Sequence, residues 1–86
     1  DLAIVVDETT EYSSVLSIVQ DFALVVDTSL FDVYRGEQIP QGQKSFAIRL
    51  VFRAPDRTLT DTEVQAVLDK ILGRLESRLG AVLRHG

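Results

Sequence analysis

The sequence predicts one α+β domain in which four strands and two helices follow the order βαββαβ. Three observations support this prediction. The chain has 86 residues, the length of a single domain. Four apolar segments rich in β-branched or aromatic residues are separated by two segments whose apolar residues recur at helical spacing. The sequence contains no repeat, low-complexity tract or linker that would divide it.

The first predicted strand and the first predicted helix occupy the start of the chain. Residues 1–7 are apolar with β-branching and end in an acid, as in a strand buried on at least one face. The following apolar residues recur at helical spacing and predict a helix over roughly residues 10–21. Three residues before or at its start are candidate N-caps, namely Thr9, Thr10 and Glu11.

Two further strands are predicted around a loop. The second strand is expected over residues 23–35, although no Gly or Pro separates it from the helix before it. Glycine and proline then predict a loop or open hairpin over residues 36–42. In the third strand, over residues 45–53, alternate residues are strongly apolar, which indicates a sheet covered on one side. Three phenylalanines are expected in the core: Phe31, Phe46 and Phe52.

The second helix has the clearest boundaries in the sequence. Thr60 and Glu63 form a capping box at its start. A continuous apolar stripe follows as far as Leu79, and Gly80 is a suitable C-terminal stop. Residues 81–84 are then expected to form a short last strand.

The order of these elements predicts a ferredoxin-like sandwich with a four-stranded antiparallel sheet. Right-handed crossovers place both helices on one face of such a sheet. The opposite face has no helical cover in this chain. We therefore expect that open face to meet solvent, a neighbouring domain or a ligand.

The composition gives no support to an enzyme site. The chain has no cysteine and a single histidine, His85, so a thiolate metal site, a multi-histidine metal site and a His-based triad are not expected. Neighbouring carboxylates fit turns and the helix cap. No apolar run reaches the length needed to cross a bilayer and no signal peptide is visible, which predicts a cytoplasmic protein. We expect no catalytic residue, metal or cofactor in this domain.

Charge is distributed unevenly along the sequence. The net charge is −4, which by itself argues against nucleic-acid binding. Residues 1–34 contain seven acids and no Lys or Arg, whereas residues 35–86 contain all nine bases and six acids. Folding either mixes or separates these two halves, and the sequence leaves both possibilities open.

Strand alternation selects the side chains of the open face. If Phe31 and Val33 point into the core, Asp32 and Tyr34 point outward. The same rule places on this face Ser45, Arg49, Arg53, Arg84, Val82, Ala3 and Val5. An aromatic ring, a carboxylate and several guanidinium groups suit single-stranded RNA, although an ordinary amphipathic sheet with Asp–Arg pairs also fits this pattern.

Three motifs resemble one known family. Residues 30–36 read LFDVYRG, residues 42–47 read GQKSFA and residues 57–64 read RTLTDTEV. Together they resemble the ferredoxin-fold anticodon-binding domain that closes the β subunit of bacterial phenylalanyl-tRNA synthetases. The similarity extends over nearly the whole chain, although the junction between the first helix and the second strand looks shorter and lacks a glycine often found there.

The resemblance implies a non-catalytic module, residues 1–86, excised from the C-terminus of a larger chain. The parent would be an ATP-dependent phenylalanine–tRNA ligase of α2β2 form, using ATP and Mg²⁺ elsewhere. The partners would be the anticodon stem-loop of phenylalanine tRNA, the rest of the β subunit and the α subunit, without a membrane.

The resemblance also implies roles for individual residues. Tyr34 would stack on an anticodon base, and Asp32 and Arg84 would read its polar edge. Ser45 would be a hydrogen-bonding neighbour, and the small side chain of Ala3 would let a base come close. Two further arginines, Arg49 and Arg53, are candidate phosphate contacts.

Two other classes of function remain possible from the residues. Outward apolar side chains such as Val5, Val51 and Val82 would favour a structural domain whose open sheet packs on a neighbouring domain. A small-ligand regulatory domain is the other alternative, but the glycine-rich ligand loops expected for it are not visible.

Overall fold

A four-stranded antiparallel sheet forms the centre of the fold, and the computed structural model describes residues 1–84. The elements are β1 (Leu2–Asp7), α1 (Tyr12–Val19), β2 (Val25–Tyr34), β3 (Gln43–Phe52), α2 (Asp61–Leu79) and β4 (Val82–Leu83). The strands lie in the order β2-β3-β1-β4, and each neighbouring pair is antiparallel. The predicted ferredoxin-like fold is confirmed.

Both helices cover the same face of the sheet. In the register of β1 and β3, Ile4 lies opposite Phe46 and Ile48 lies opposite Leu2, and both isoleucines are almost fully buried. They join one hydrophobic cluster with Val15 of α1 and with Ile71 and Leu75 of α2. Within residues 1–84, no helix packs on the opposite face of the sheet.

The second helix has the predicted caps at both ends. The Thr60 hydroxyl accepts a hydrogen bond from the backbone N–H of Glu63 at 3.2 Å, which satisfies one of the free amides at the helix start. Gly80 ends the helix in the left-handed conformation, with φ at 66°, where a residue with a β-carbon would be strained.

The first helix is shorter than predicted. It ends at Val19, and Asp21 and Phe22 donate backbone hydrogen bonds to Ile18 and Val19, three residues earlier. The chain therefore tightens into turns without needing a glycine or proline. At the other end, Glu11 occupies the N-cap position but makes no side-chain capping bond.

Two irregularities in β2 change the predicted alternation. The register with β3 shifts between Val25 and Asp27 and again between Leu30 and Asp32, so one residue is extra at each place. These extra residues are Val26 and Phe31, and both are about half exposed, at 53% and 55%. A bulge lets its extra residue leave the regular in-and-out pattern.

The prediction that Phe31 belongs to the core is therefore wrong. Its neighbour Val33 does lie opposite Phe46 on the helix-covered side. Phe46 is buried at 3% exposure, and Phe52 is partly buried against the core, so these two predictions are confirmed. Alternation alone gave no sign of the extra residue.

Folding mixes the acidic and basic halves of the sequence. Glu8 receives three hydrogen bonds of 2.7–3.0 Å from Arg35, which joins the turn after β1 to the loop after β2. Asp21 lies 3.6 Å from Arg74, which ties the turn after α1 to α2. These exposed pairs connect early acids to late bases and distribute the charge over the surface.

We expect the free energy of unfolding to decrease as the pH is lowered from about 5 to about 3. The hydrogen-bonded guanidinium of Arg35 lowers the pKa of the Glu8 carboxyl, and that of Arg57 lowers the pKa of Glu63. The unfolded chain then takes up protons at a higher pH than the folded chain. This stabilisation is complete above the ordinary carboxyl pKa and is lost as the pH falls through the lowered values. Urea denaturation at several pH values measures it.

The Glu63→Gln variant is the matched control because it keeps the hydrogen-bonding shape of the side chain. Its stability should depend less on pH over the same range. Since both ion pairs are exposed, the difference should be small. A variant with the full pH dependence of the unchanged chain would contradict the assignment to Glu63.

Candidate nucleic-acid interface

The open face of the sheet is built in rows of residues that lie opposite each other on neighbouring strands. One row crosses from Tyr34 on β2 through Ser45 on β3 and Val5 on β1 to Val82 on β4. Tyr34 is half-buried and Val82 is 62% exposed. Residues from all four strands therefore contribute to one surface.

The adjacent row has polar residues at its two ends and two alanines between them. Asp32 lies opposite Ala47, and Ala47 lies opposite Ala3. The backbone N–H of Arg84 donates to the carbonyl of Ala3 at 2.8 Å, which continues the row beyond β4. A carboxylate and a guanidinium group thus originate on opposite sides of two alanines. Strand spacing puts them about three strand separations apart, roughly 14 Å between backbones.

The Tyr34 ring packs closely against a glycine and is in contact with an arginine. A β-carbon at Gly36 would come within 2.3 Å of the Tyr34 hydroxyl oxygen and 2.6 Å of the neighbouring ring carbon. The guanidinium carbon of Arg84 lies over the ring, 4.9 Å from its centre. Nη2 of Arg84 also donates to Oε1 of Gln38 at 2.9 Å. The loop after β2 and the end of the described chain therefore both contact the Tyr34 ring and fix its position.

Ser45 is on the open face but is not accessible there. It is 1% exposed, in register between Tyr34 and Val5. Its role as a hydrogen-bonding neighbour of a base stays a prediction, and it requires the surrounding side chains to move. The alternation of residues along β3 predicted correctly that Ser45 lies on the open face. It gave no information about how deeply Ser45 is buried there.

Arg49 makes a second contact between an arginine and an aromatic ring on this face. Its guanidinium carbon lies 5.6 Å from the centre of the Phe31 ring. Nε and Nη2 of Arg49 donate to the Asp1 carboxylate at 3.1 and 3.5 Å. Since Arg49 lies opposite Ser29 in the outward register, the Phe31 ring also points to the open face.

Other basic side chains do not join this group. Arg53 is exposed and follows the last residue of β3. Lys44 lies opposite Val6 on the helix-covered side, with its Nζ 5.1 Å from the centre of the Phe46 ring. In the described part of the chain, Arg84 and Arg49 are thus the arginines of the open face that contact aromatic rings.

Sequence reasoning missed three residues of this surface. The sequence indicates Gly36 only as a loop residue, whereas in the structure the Tyr34 ring occupies the space that a side chain at Gly36 would fill. Gln38 holds Arg84, and no motif indicated that contact. The alternation predicts Phe31 in the core, and no signal within β2 marks the bulge, because the bulge depends on pairing with β3.

The described residues contain no grouping suited to metal chemistry. Within 1–84, no three His, Cys, Asp or Glu side chains are arranged to hold a metal ion. Among the same residues, no helix is long and apolar enough to cross a membrane. A sheet face that presents aromatic rings, a carboxylate and guanidinium groups is typical of an α+β domain that binds a ligand.

Comparison with known proteins identifies the class more closely. The chain belongs to the ferredoxin-fold anticodon binding domain family, whose model matches residues 1–84. It is 46% identical over 86 residues to the phenylalanine–tRNA ligase beta subunit of Geobacillus kaustophilus, and 48% identical to that of Clostridium tetani. The corresponding subunit of Moorella thermoacetica is 48% identical over 87 residues.

These alignments cover nearly all of this chain and a small part of each relative. They include 98–99% of the chain but 11% of the length of each of the three subunits. The motif-based resemblance, the fold class and the prediction of an anticodon-binding domain are confirmed.

Proposed function

We propose that the open sheet face binds the anticodon loop of phenylalanine tRNA as part of a phenylalanine–tRNA ligase β subunit. The chain would thereby support aminoacylation of that tRNA without taking part in the chemistry. The observation that carries the proposal is the Tyr34 ring, seated on Gly36 and covered by Arg84, beside the exposed Asp32. The family and the names of the relatives support the same assignment.

The first step of binding is the replacement of Arg84 by a base on the Tyr34 ring. A cation–π contact at an exposed site contributes about 0.5–1 kcal/mol. Stacking of a base on an aromatic side chain contributes about 1–3 kcal/mol. Exchange of the guanidinium group for a base is therefore favourable, and it frees Arg84 to bind the base edge or a phosphate.

The second step is recognition of guanine by Asp32. Guanine presents two adjacent donors, N1–H and the N2 amino group, and a carboxylate has two acceptor oxygens. The small side chains of Ala3 and Ala47 beside Asp32 leave room for the plane of a base. Adenine and cytosine lack this pair of donors, so the carboxylate favours guanine as the first anticodon base.

Other parts of the ligase supply most of the affinity in this proposal. A net charge of −4 gives the chain little of the phosphate attraction that dominates non-specific RNA binding. We expect the chain alone to bind an anticodon stem-loop with a Kd on the order of 100 µM or weaker. The rest of the β subunit and an α subunit would bind the body of the tRNA in the cytoplasm. ATP and Mg²⁺ would act on those other parts of the ligase.

The direct test is NMR chemical-shift mapping of the labelled chain with two stem-loops at low salt. One stem-loop carries the anticodon GAA and the other CAA. We expect larger shifts with GAA, clustered on Asp32, Tyr34 and Arg84. An Asp32→Asn variant should keep its fold and lose the preference for GAA. The side-chain amide has one acceptor oxygen, and its NH₂ group repels the second of the two guanine donors.

The contrary outcomes lead to different conclusions. Equal shifts for both stem-loops, confined to Lys and Arg, would mean phosphate contact without base reading. No shifts at millimolar RNA would favour the alternative in which the open face packs on a neighbouring domain. The 62% exposure of Val82 is the observation that supports that alternative.

A further inference from the structure

A second aromatic ring on the open face is not used by the function proposed above. Phe31 is 55% exposed at the bulge between Leu30 and Asp32. Single exposed apolar side chains are common on protein surfaces, so exposure alone assigns no role. The surroundings of the ring are more informative than its exposure.

The surroundings of Phe31 repeat those of Tyr34. Arg49 lies over the Phe31 ring at 5.6 Å, as Arg84 lies over the Tyr34 ring at 4.9 Å. Both rings belong to β2, and both arginines come from other strands or from the end of the described chain. Arg49 is held from its other side by Asp1, 3.1 Å away. The face therefore carries two units, each made of one ring and one guanidinium group.

The spacing of the two rings suits neighbouring nucleotides. Phe31 and Tyr34 are three residues apart, which is at most roughly 10 Å along a strand and less across a bulge. On other RNA-binding sheets, aromatic side chains of one sheet stack two or three successive bases. Asp32 lies between the two rings in the sequence, where it would face the base that we propose for Tyr34.

We propose that Phe31 is a second stacking platform, which takes the base next to the one on Tyr34. This inference rests on the proposed RNA-binding function. A phenyl ring has no hydrogen-bonding group, so the Phe31 platform accepts any base. At the Tyr34 platform, by contrast, Asp32 selects guanine. When a base replaces Arg49 on the ring, the guanidinium group is free to neutralise the phosphate between the two nucleotides.

The test compares Phe31→Ala with the unchanged chain in titrations of the GAA stem-loop. We expect Phe31→Ala to weaken binding about tenfold, as loss of one stacked base does. Phe31→Tyr keeps a ring and should bind like the unchanged chain. Phe31→Leu keeps an apolar side chain without a ring and should resemble Phe31→Ala. Val26→Ala changes the other bulge residue, which has similar exposure, and should have no effect.

Stem-loops lacking one base identify the partner of the ring. Two stem-loops are compared, one lacking the base before the first anticodon nucleotide and one lacking the base after it. The unchanged chain should bind one of these two stem-loops more weakly than the complete one. With that stem-loop, Phe31→Ala should show no further loss. If Phe31→Ala binds as tightly as the unchanged chain while Tyr34→Ala is weakened, the second platform is overturned and the proposed function stands. If the unchanged chain does not bind at all, both proposals fail.

Discussion

Replacing Tyr34 by alanine should weaken binding of the GAA stem-loop by about 1–3 kcal/mol, or roughly 5- to 150-fold. The variant removes the ring that Gly36 seats and that Arg84 covers. It leaves the buried core untouched, because Tyr34 belongs to the open face. Fluorescence or NMR titration at low salt measures the affinity, and a urea denaturation curve of the same variant shows that the chain is folded.

Two variants separate stacking from packing at this position. Tyr34→Phe keeps the ring and should bind within about threefold of the unchanged chain, since stacking uses the π-face. Tyr34→Leu fills space without a ring and should bind as weakly as the alanine variant. If Tyr34→Ala instead loses as much stability as a core substitution does, Tyr34 is a packing residue and its assignment to RNA binding is wrong.

Replacing Ile71 by alanine should lower the free energy of unfolding by about 2–5 kcal/mol. Ile71 has no exposed surface and packs at the centre of the cluster between α2 and the sheet. The truncation loses buried apolar contacts and leaves a cavity that the neighbours fill only in part. Domains of this size are stable by about 4–13 kcal/mol, so the variant should unfold at much lower urea concentration.

Graded controls make this second prediction specific. Ile71→Val removes one methylene group and should cost about 0.5–1.5 kcal/mol. Val26→Ala, at a position that is 53% exposed, should change stability by less than about 0.5 kcal/mol. A loss for Val26→Ala equal to that for Ile71→Ala would mean that the core is not where the structure puts it.

The fold was predictable because its strongest signals are local. The capping box at Thr60, the apolar stripe of α2 and the stop at Gly80 each act within a few residues, and all are found as predicted. The end of α1 was not predictable to the same precision, because backbone turns rather than a marker residue end it. The bulges at Val26 and Phe31 depend on pairing with β3, and that information is absent from β2 alone.

The candidate site was predictable only as a face. Period-two alternation put Asp32 and Tyr34 outward because one side of the sheet needs to be apolar. It did not reveal that Gly36 receives the tyrosine ring or that Arg84 covers it, because these contacts join distant segments. For the same reason the burial of Ser45 was not foreseen.

The pairing of β1 with β4 determines how the open face can be presented by a larger molecule. Because these strands are antiparallel, residue 3 near the start of the chain is hydrogen-bonded to Arg84 near its end. A polypeptide segment that enters β1 and one that leaves β4 would therefore lie side by side. Domains with adjacent ends tolerate insertion and circular permutation well. The open face is thus carried by a domain whose first and last strands pair at the positions where they join their flanking segments.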